Sequence, residues 1–376
     1  MVQAEAVIDL DAIRANTAYL AERAATRSAA TMAVVKADGY GHGAVPAARA
    51  ALAGGATWLG AATVAEALGL RAAGIDAPML SWLNGPGTDF TPTVAANVDL
   101  GVPSDRVLGD VVAAAKKAGR TARVHLKVDT GLGRSGATRD DWPDLLTAAA
   151  KAQAEGTVEV IGVWSHLACA DEPGHPSIAA QITAFGEALE VAERHGVEPQ
   201  IRHLANSAGT LTLPQAYFDL VRPGVSIYGL SPNPSQVPAE ALRPAMTLRG
   251  EVLIAKRVPA GHGVSYGHTY HTSAPTTLAL IPIGYADGIP RHASNSGPLL
   301  LGGRLRTIAG RVCMDQVVVD VGDDPVRDGD EAILFGPGDH GEPTADDWAT
   351  VVGTINYEIV TRIGARVPRR YVGAGA

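Results

Sequence analysis

The sequence predicts an α/β plus β protein: a (β/α)8 barrel of the TIM type, followed by a domain of mainly antiparallel β-strands. From about residue 9 to residue 230, short apolar runs alternate with alanine-rich helical segments, which is typical of a barrel. After about residue 242, short Val, Ile, Leu and Thr runs alternate with Gly and Pro turns, which indicates antiparallel strands. A chain of 376 residues also exceeds one typical core. We therefore expect a barrel in residues 1–240 and a β domain in residues 241–376.

Eight apolar runs are candidate barrel strands. In chain order they span residues 33–36, 58–61, 78–82, 98–102, 123–128, 158–165, 200–204 and 218–221. Helical spacing is clearest at residues 64–73, 106–118, 141–154 and 178–194. Asp9 predicts the cap of a further helix ahead of the first barrel strand. A doubly wound open sheet remains the structural alternative, because alternation alone does not prove closure.

The second domain follows a candidate linker at residues 231–238, which is rich in Pro and Ser. Its predicted strands span residues 250–258, 276–282, 305–309, 317–321 and 331–335.

Bulk properties exclude several classes of partner. The net charge is −8 and no run of Lys or Arg occurs, so nucleic acids and anionic membrane surfaces are poor partners. The first 20 residues carry several charges and do not resemble a signal peptide, and no apolar stretch is long enough to span a bilayer. Cys169 and Cys313 do not form a C-x-x-C pair, which suits a reducing compartment. We therefore expect a cytoplasmic protein.

Lys36 is the first candidate catalytic residue. It follows an apolar run and precedes a glycine-rich turn, so a long amine is expected at the end of a buried strand. Burying a lone ammonium group is costly unless its pKa falls, and a desolvated lysine forms Schiff bases with carbonyl compounds. The alternative is a lysine that extends its amine to water.

Other polar residues follow the later barrel strands, at the end of a barrel where active sites lie. Asn206 and Ser207 follow the seventh strand, and Gly224 and Val225 follow the eighth. Hydroxyl and backbone N–H groups in these two loops suit a phosphate, although Ser207 could simply cap a helix and Gly224 simply turn the chain. The histidines at strand ends show no metal-ligand spacing, so we expect no metal site.

Several segments together resemble alanine racemase, a fold-type III pyridoxal phosphate enzyme family. They span residues 35–43, 127–136, 165–168, 206–207, 221–224, 264–267, 283–288 and 310–315, in order across nearly the whole chain. The family combines a barrel with a β domain, as the sequence pattern predicts independently.

The resemblance implies a role for each matching residue. Lys36 would hold pyridoxal 5'-phosphate as a Schiff base, and Arg222 would contact its pyridine nitrogen. Since Arg only donates hydrogen bonds, that nitrogen would stay an unprotonated acceptor. The other implied cofactor-binding residues, mostly around the phosphate, are Tyr40, His166, Asn206, Ser207, Gly224, Val225 and Tyr357.

Racemisation needs a base on each face of a planar adduct, and the resemblance implies that Tyr266 is the second base. In the family this tyrosine comes from the partner subunit, so a homodimer with shared active sites is implied. Arg134, Met314 and Asp315 resemble substrate-binding residues. Lys127 resembles a position that is carbamylated in many members, where the carbamate would hold Arg134. Residues resembling those that line the access corridor are Asp171, Tyr285, Arg291 and Arg311.

The resulting prediction is a pyridoxal phosphate-dependent isomerase that interconverts L- and D-alanine and supplies D-alanine for peptidoglycan. Three alternatives remain. A racemase of broader range is hard to exclude, because one methylene discriminates by only ~1–3 kcal/mol. A related amino-acid decarboxylase would use a cysteine in the β domain, where Cys313 stands. A non-catalytic cofactor carrier would lack both the β domain and a second base.

Overall fold

The computed structural model describes residues 3–234 and 241–374. In the first of these ranges the strands are β1 (Ala4–Asp9), β2 (Ala30–Val34), β3 (Trp58–Ala61), β4 (Met79–Ser81), β5 (Asp99–Val102), β6 (Ala122–Lys127), β7 (Val158–Trp164), β8 (Ile201–His203) and β9 (Leu220–Val221). The helices are α1 (Leu10–Ala25), α2 (Lys36–Tyr40), α3 (Ala44–Ala53), α4 (Val64–Ala72), α5 (Thr91–Ala95), α6 (Asp105–Ala118), α7 (Trp142–Ala154), α8 (Pro176–Arg194) and α9 (Ser207–Thr212).

Strands β2 to β9 form a parallel sheet of eight strands that closes almost completely on itself. Each strand pairs with the next one in the chain from β2 to β8, and β9 returns to pair with β2. Between β8 and β9, the N–H of Asp219 donates to the carbonyl of Arg202 at 3.0 Å. The last strand therefore lies beside the first, which confirms the barrel over a doubly wound sheet.

Several helices around the barrel begin or end at residues that satisfy their terminal backbone groups. Asp9 accepts from the N–H of Ala12 and caps α1, as the sequence predicts. Thr63 and Glu66 form a reciprocal capping box at the start of α4. Gly119 ends α6 in the left-handed conformation, where a glycine carries no Cβ penalty.

The C-terminal range adds the remaining elements. Its strands are β10 (Met246–Glu251), β11 (Ile254–Val258), β12 (Gly263–Val264), β13 (Tyr270–His271), β14 (Thr276–Ile281), β15 (Pro298–Leu301), β16 (Arg304–Thr307), β17 (Val317–Gly322), β18 (Glu331–Phe335) and β19 (Arg369–Val372). Its helices are α10 (Ala345–Val352) and α11 (Asn356–Thr361). Together with β1, these ten strands form sheets of six, three and two strands with mainly antiparallel pairing, which confirms the predicted β character of this region.

The first strand of the chain belongs to the C-terminal sheet. Strand β1 pairs antiparallel with β10 and parallel with β19, so it lies inside the six-stranded sheet. The domain boundary at residue 240 stays a prediction, and this N-terminal strand lies on the other side of it. A six-residue strand with an alternating pattern does not reveal which partner is more than 200 residues away.

Two predicted strands have different limits in the structure, and part of the predicted linker is not described. The strand expected at residues 250–258 is two strands, because the chain leaves one sheet after Glu251 and enters another at Ile254. The first barrel strand ends at Val34, so Lys36 lies just beyond it. Within the candidate linker, residues 235–238 lie outside the described residues.

In the described ranges, no helix combines the length and the apolar character needed to cross a membrane.

Candidate active site

A cavity of about 440 Å³ opens at the carboxyl ends of the barrel strands. It brings together most of the residues that the sequence nominated, although they come from distant parts of the chain. Those nominated residues are Lys36, Tyr40, Lys127, Arg134, His166, Asn206, Ser207, Arg222, Gly224, Val225 and Tyr357. The last of them, on α11, is contributed by the C-terminal range. The cavity is therefore formed by both ranges of the chain.

Lys36 extends into this cavity from the turn after β2, and the residue is half-buried. Burial and the positive charge of Arg134 lower the pKa of Lys36, while the carboxylate of Glu66 opposes them. A lysine with a lowered pKa is neutral more often at physiological pH, and the neutral amine is the nucleophile that attacks a carbonyl group.

The segment after Lys36 is a turn of left-handed helix. Residues 37–40 all have φ between 52° and 62°, although Ala37, Asp38 and Tyr40 carry a Cβ. This conformation costs roughly 1–2 kcal/mol for each residue other than glycine, so the surrounding contacts must stabilise it. One of them is buried His42, whose Nδ1 lies 3.0 Å from the carbonyl oxygens of both Gly39 and Tyr40. The turn places Tyr40 in the same cavity as Lys36.

The loops after β8 and β9 meet at a cradle for an anion. Ser207 Oγ accepts from the N–H of Gly224 at 2.8 Å, which joins the two loops. A hydroxyl that accepts here still has a proton to donate. A Cβ at Gly224 would overlap the hydroxyl oxygen of Tyr40, so glycine is required there for close approach. Burial raises the pKa of Tyr40 and of Tyr357, so both phenols are protonated donors at neutral pH. This donor set fits a phosphate group.

Arg222 lies on the cavity wall and is itself buried. It donates to Nδ1 of His203 at 3.1 Å, to Nδ1 of His166 at 3.2 Å and to the carbonyl of Ser165 at 2.8 Å. Within the part of the chain that the structure describes, no carboxylate pairs with Arg222, and burial lowers its pKa to about 9. A guanidinium can only donate, so this side of the cavity fits a ring nitrogen that accepts.

A line of hydrogen bonds runs from Arg222 down the barrel interior. His203 Nε2 lies 2.9 Å from His125 Nδ1, and His125 Nε2 lies 3.1 Å from the carboxylate of Asp99. Asp99 also accepts two bonds from Arg123. Because Arg222 can only donate, His203 accepts at Nδ1 and donates from Nε2, and His125 in turn donates to Asp99. The donor Arg222 at one end and the acceptor Asp99 at the other therefore determine the direction of every hydrogen bond in the line.

Lys127 and His166 both have lowered pKa values beside Arg222. Burial and the charges of Arg222 and Arg134 lower the pKa of Lys127 to about 8. Burial and the same two arginines lower the pKa of His166 well below its usual value. The Lys127 amine also lies 4.5 Å from the centre of the Trp164 ring. An amine with this pKa is neutral often enough to react with carbon dioxide, as carbamylation requires.

The remaining nominated residues do not line this cavity. Tyr266 is 71% exposed and follows Ser265, whose φ is +59°. Met314 is 52% exposed, and the neighbouring Asp315 forms an ion pair with Arg366 at 2.8 Å. The other nominated residues outside the cavity lining are Asp171, Tyr285, Arg291 and Arg311. A single chain therefore supplies Lys36 to the cavity but leaves Tyr266 on its surface.

Comparison with known proteins identifies the family. The family model described as the N-terminal domain of alanine racemase matches residues 8–232, and the model of its C-terminal domain matches residues 245–371. The chain belongs to the alanine racemase family. This confirms the resemblance drawn from the sequence and the prediction of an isomerase of the alanine racemase type. The family is one that uses pyridoxal phosphate.

Individual members of the alanine racemase family match over nearly the full length. An alanine racemase of Frankia casuarinae is 63% identical over 98% of this chain and 96% of its own. The crystal structure of alanine racemase from Streptomyces lavendulae is 57% identical, with a TM-score of 0.97 over 100% of this chain and 98% of that chain. The Bacillus anthracis alanine racemase, solved with bound L-Ala-P, is 35% identical, with a TM-score of 0.91 over 100% and 96% of the two chains.

Sequence reasoning missed several residues of the alanine racemase cavity. Trp82 and Leu83 line it, and Leu83 is 65% exposed. Trp82 packs so closely on Gly60 and Gly101 that a Cβ at either glycine would lie within 2.9 Å of it. A tryptophan directly after a barrel strand, with glycines inside two neighbouring strands, could have indicated this packing. Ala62, Ser135, Trp164 and Val34 complete the missed lining residues.

Proposed function

We propose that this chain binds pyridoxal 5'-phosphate through Lys36 and interconverts L- and D-alanine with two bases, Lys36 and Tyr266. One observation carries the proposal: the cavity combines a lysine of lowered pKa with the Arg222 donors and the cradle around Ser207 and Gly224. These are the three features needed to hold an aldehyde, a ring nitrogen and a phosphate at once.

The donor set fits each end of the cofactor. The hydroxyls of Tyr40, Ser207 and Tyr357 would hold the phosphate, with Asn206, Val225 and the Gly224 turn shaping the loops around it. Arg222, positioned by His166, would donate to the pyridine nitrogen. When bound, pyridoxal phosphate withdraws electrons from the α-carbon of an amino acid, which makes the α-proton acidic. Arg222 only donates hydrogen bonds, so unlike a carboxylate it would not hold a proton on the pyridine nitrogen. The unprotonated ring would withdraw electrons less strongly. The carbanion should therefore be short-lived, which favours reprotonation.

Racemisation needs a base on the face opposite Lys36, and we propose that a second copy of the chain supplies it. The support is the contrast between Lys36, which lines the cavity, and Tyr266, which is 71% exposed on the same chain. A homodimer that inserts each Tyr266 into the partner's cavity would complete both sites. Lys36 would then take the proton from D-alanine and Tyr266 the proton from L-alanine.

Other residues have supporting roles in this proposal. Arg134 would bind the substrate and would be held by a carbamate on Lys127, for which the lowered pKa of Lys127 is the support. Met314 and Asp315 would meet the substrate from the partner subunit. The residues proposed for the access corridor are Asp171, Tyr285, Arg291 and Arg311.

We propose that the D-alanine formed here enters peptidoglycan. The cytoplasm stays the predicted location, on the ground of the cysteine pattern. Alanine is proposed as the main substrate, and a broader amino-acid range is the alternative that the assay below separates.

The deciding experiment is incubation of the purified protein with L-alanine in deuterated water, followed by NMR of both the chirality and the α-hydrogen. We expect equal amounts of the two enantiomers, with deuterium at the α-carbon, because enantiomers have equal free energy. Inversion of other amino acids at similar rates would favour the broader alternative. Absence of α-hydrogen exchange with cofactor bound would contradict the proposal.

Variants test the two bases separately. Lys36→Ala should lose the absorbance of the Schiff base and the activity in both directions. Tyr266→Phe should bind cofactor normally but fail to remove the proton from L-alanine, and a parental rate would refute its role as second base. Mixing the two inactive variants should restore some activity, since half of the sites in a mixed dimer would carry both Lys36 and Tyr266. No recovery after proven subunit exchange would count against shared sites.

A further inference from the structure

The side chain of Glu66 makes contacts in two directions. Its Oε2 accepts from the N–H of Ala62 at 2.7 Å and of Thr63 at 3.1 Å, which is the ordinary capping of its own helix α4. Its Oε1 accepts from the N–H of Ala37 at 2.8 Å, across from α4 to the turn after β2. One oxygen therefore serves the helix, and the other serves the residue that follows Lys36.

The contact with Ala37 acts on the backbone next to Lys36. The N–H of Ala37 belongs to the same peptide plane as the carbonyl of Lys36, so holding it determines how the Lys36 backbone leaves β2. Ala37 is also the first of the left-handed residues, with φ of 52° and ψ of 50°. A charge-assisted bond at this point stabilises a conformation that alanine rarely adopts.

Glu66 also brings negative charge to the catalytic lysine. The burial of Lys36 and the charge of Arg134 both favour the neutral amine, and Glu66 is the carboxylate that opposes them. The other titratable groups that line the cavity around Lys36 are Tyr40, Lys127, His166, Arg222 and Tyr357. The lowered pKa of His166 and the raised pKa values of Tyr40 and Tyr357 leave these three groups uncharged at neutral pH. Lys127, with a pKa of about 8, is still mostly protonated there and adds positive charge, as Arg134 and Arg222 do.

We propose that Glu66 is a positioning residue for Lys36, which holds the peptide after it through Ala37 and supplies the negative charge that keeps its amine basic. The inference rests on the role of Lys36 proposed above. Helix capping alone does not account for the geometry, because Oε2 already completes the cap and Oε1 is directed to another element.

Three variants separate these contributions. Glu66→Asp keeps the charge and can still cap α4, but it is one methylene too short to reach Ala37. Glu66→Gln keeps the length but removes the charge. Thr63→Ala is the matched control, because it removes the bond from the Glu66 N–H to Thr63 Oγ1 at 3.2 Å and leaves both carboxylate oxygens in place. If one Glu66 variant does not fold, the other still tests its own contribution: Glu66→Asp tests the contact with Ala37, and Glu66→Gln tests the charge.

The first readout is hydrogen exchange at the Ala37 amide in cofactor-free protein, which does not depend on turnover. Loss of a charge-assisted hydrogen bond should speed local exchange by roughly tenfold or more in Glu66→Asp, and Thr63→Ala should match the parent. Parental exchange in both Glu66 variants would overturn the positioning role.

The second readout is the pH dependence of the loaded enzyme in both directions. A less basic Lys36 in Glu66→Gln should move the acid limb with D-alanine, and the basic limb with L-alanine, to lower pH. Glu66→Asp should keep both limbs closer to the parent. Unmoved limbs in Glu66→Gln would overturn the electrostatic role.

A control separates failure of this inference from failure of the proposed function. Borohydride reduction of the parent enzyme, followed by peptide mapping, should show the cofactor on Lys36. If the label lies elsewhere, both the proposed function and this inference are wrong. If Lys36 is labelled while the Glu66 variants behave like Thr63→Ala, only the inference is wrong.

Discussion

Replacing Asp99 by Asn should destabilise the barrel and disturb Arg222 through the line of hydrogen bonds between them. Burial alone would raise the pKa of Asp99, but the bonds from His125 and Arg123 outweigh it and lower the pKa, so the carboxylate is charged at neutral pH. An asparagine that accepts from Arg123 presents its NH2 group to His125. His125 must then accept at Nε2 and donate from Nδ1 to His203. His203 must in turn carry its proton on Nδ1, so that its N–H is directed at the donor Arg222.

The magnitude follows from the burial of the groups involved. The Asp99 side chain is 2% exposed and accepts from Arg123 at 2.7 Å and from His125 at 3.1 Å. Removing one partner of a buried pair costs about 3–5 kcal/mol. Because Arg123 is 30% exposed and water can replace part of its lost bond, we expect the lower end, about 3 kcal/mol.

Denaturant unfolding at neutral pH measures this loss, and Asp110→Asn is the matched control. Asp110 pairs with Arg106 at 2.9 Å, but the two side chains are 46% and 54% exposed. Such a surface pair contributes less than about 1 kcal/mol. Imidazole nitrogen NMR would report the tautomers of His125 and His203 in the same samples. The reasoning is refuted if Asp99→Asn loses no more stability than Asp110→Asn and leaves both imidazole spectra unchanged.

Two further outcomes follow from the cavity. Gly224→Ala should weaken cofactor binding at least tenfold in a fluorescence titration, because its Cβ would overlap the Tyr40 hydroxyl. The control Gly109→Ala lies on an open helix surface and should bind the cofactor normally. Equal affinities of the two variants would contradict the proposed phosphate cradle. The pKa of Lys127 is about 8 in the folded chain and 10.5 in the unfolded chain. Between these pH values the unfolded chain therefore binds one more proton than the folded chain. The free energy of unfolding should rise with pH across this window, by roughly 3 kcal/mol. Lys127→Met should not show this rise when unfolding is measured in carbon dioxide-free buffer, and a parental rise in that variant would assign it to other groups.

Local pattern was sufficient to predict the strands and helices of the barrel, but it left the closure of the sheet open. Strands such as β3 and helices such as α7 match their predicted limits within one residue, because apolar periodicity and capping residues are local properties. The order of the strands then followed from the rule that neighbouring strands of a barrel are consecutive in the chain.

What could not be predicted depends on contacts between distant residues. The residue types of Ala37, Asp38 and Tyr40 do not indicate a left-handed backbone, since each prefers the right-handed region. Contacts with Glu66, His42 and their surroundings hold the turn in this conformation. The line from Arg222 to Asp99 joins residues of separate strands, and histidines at strand ends do not reveal whether they bind a metal or one another. Family resemblance nominated most cavity residues, but it did not nominate Trp82, Leu83 or Glu66.

The placement of β1 between β10 and β19 has a consequence for synthesis and for dissection of the protein. Strand β1 leaves the ribosome long before its partners, which lie within residues 246–372, so the barrel can close while the strand that precedes it is still unpaired. A fragment cut at residue 240 would expose both edges of that strand, which invites aggregation. A fragment that begins near residue 10 is therefore the better choice for studying the barrel alone, and the β domain is better rebuilt with residues 3–9 attached to it.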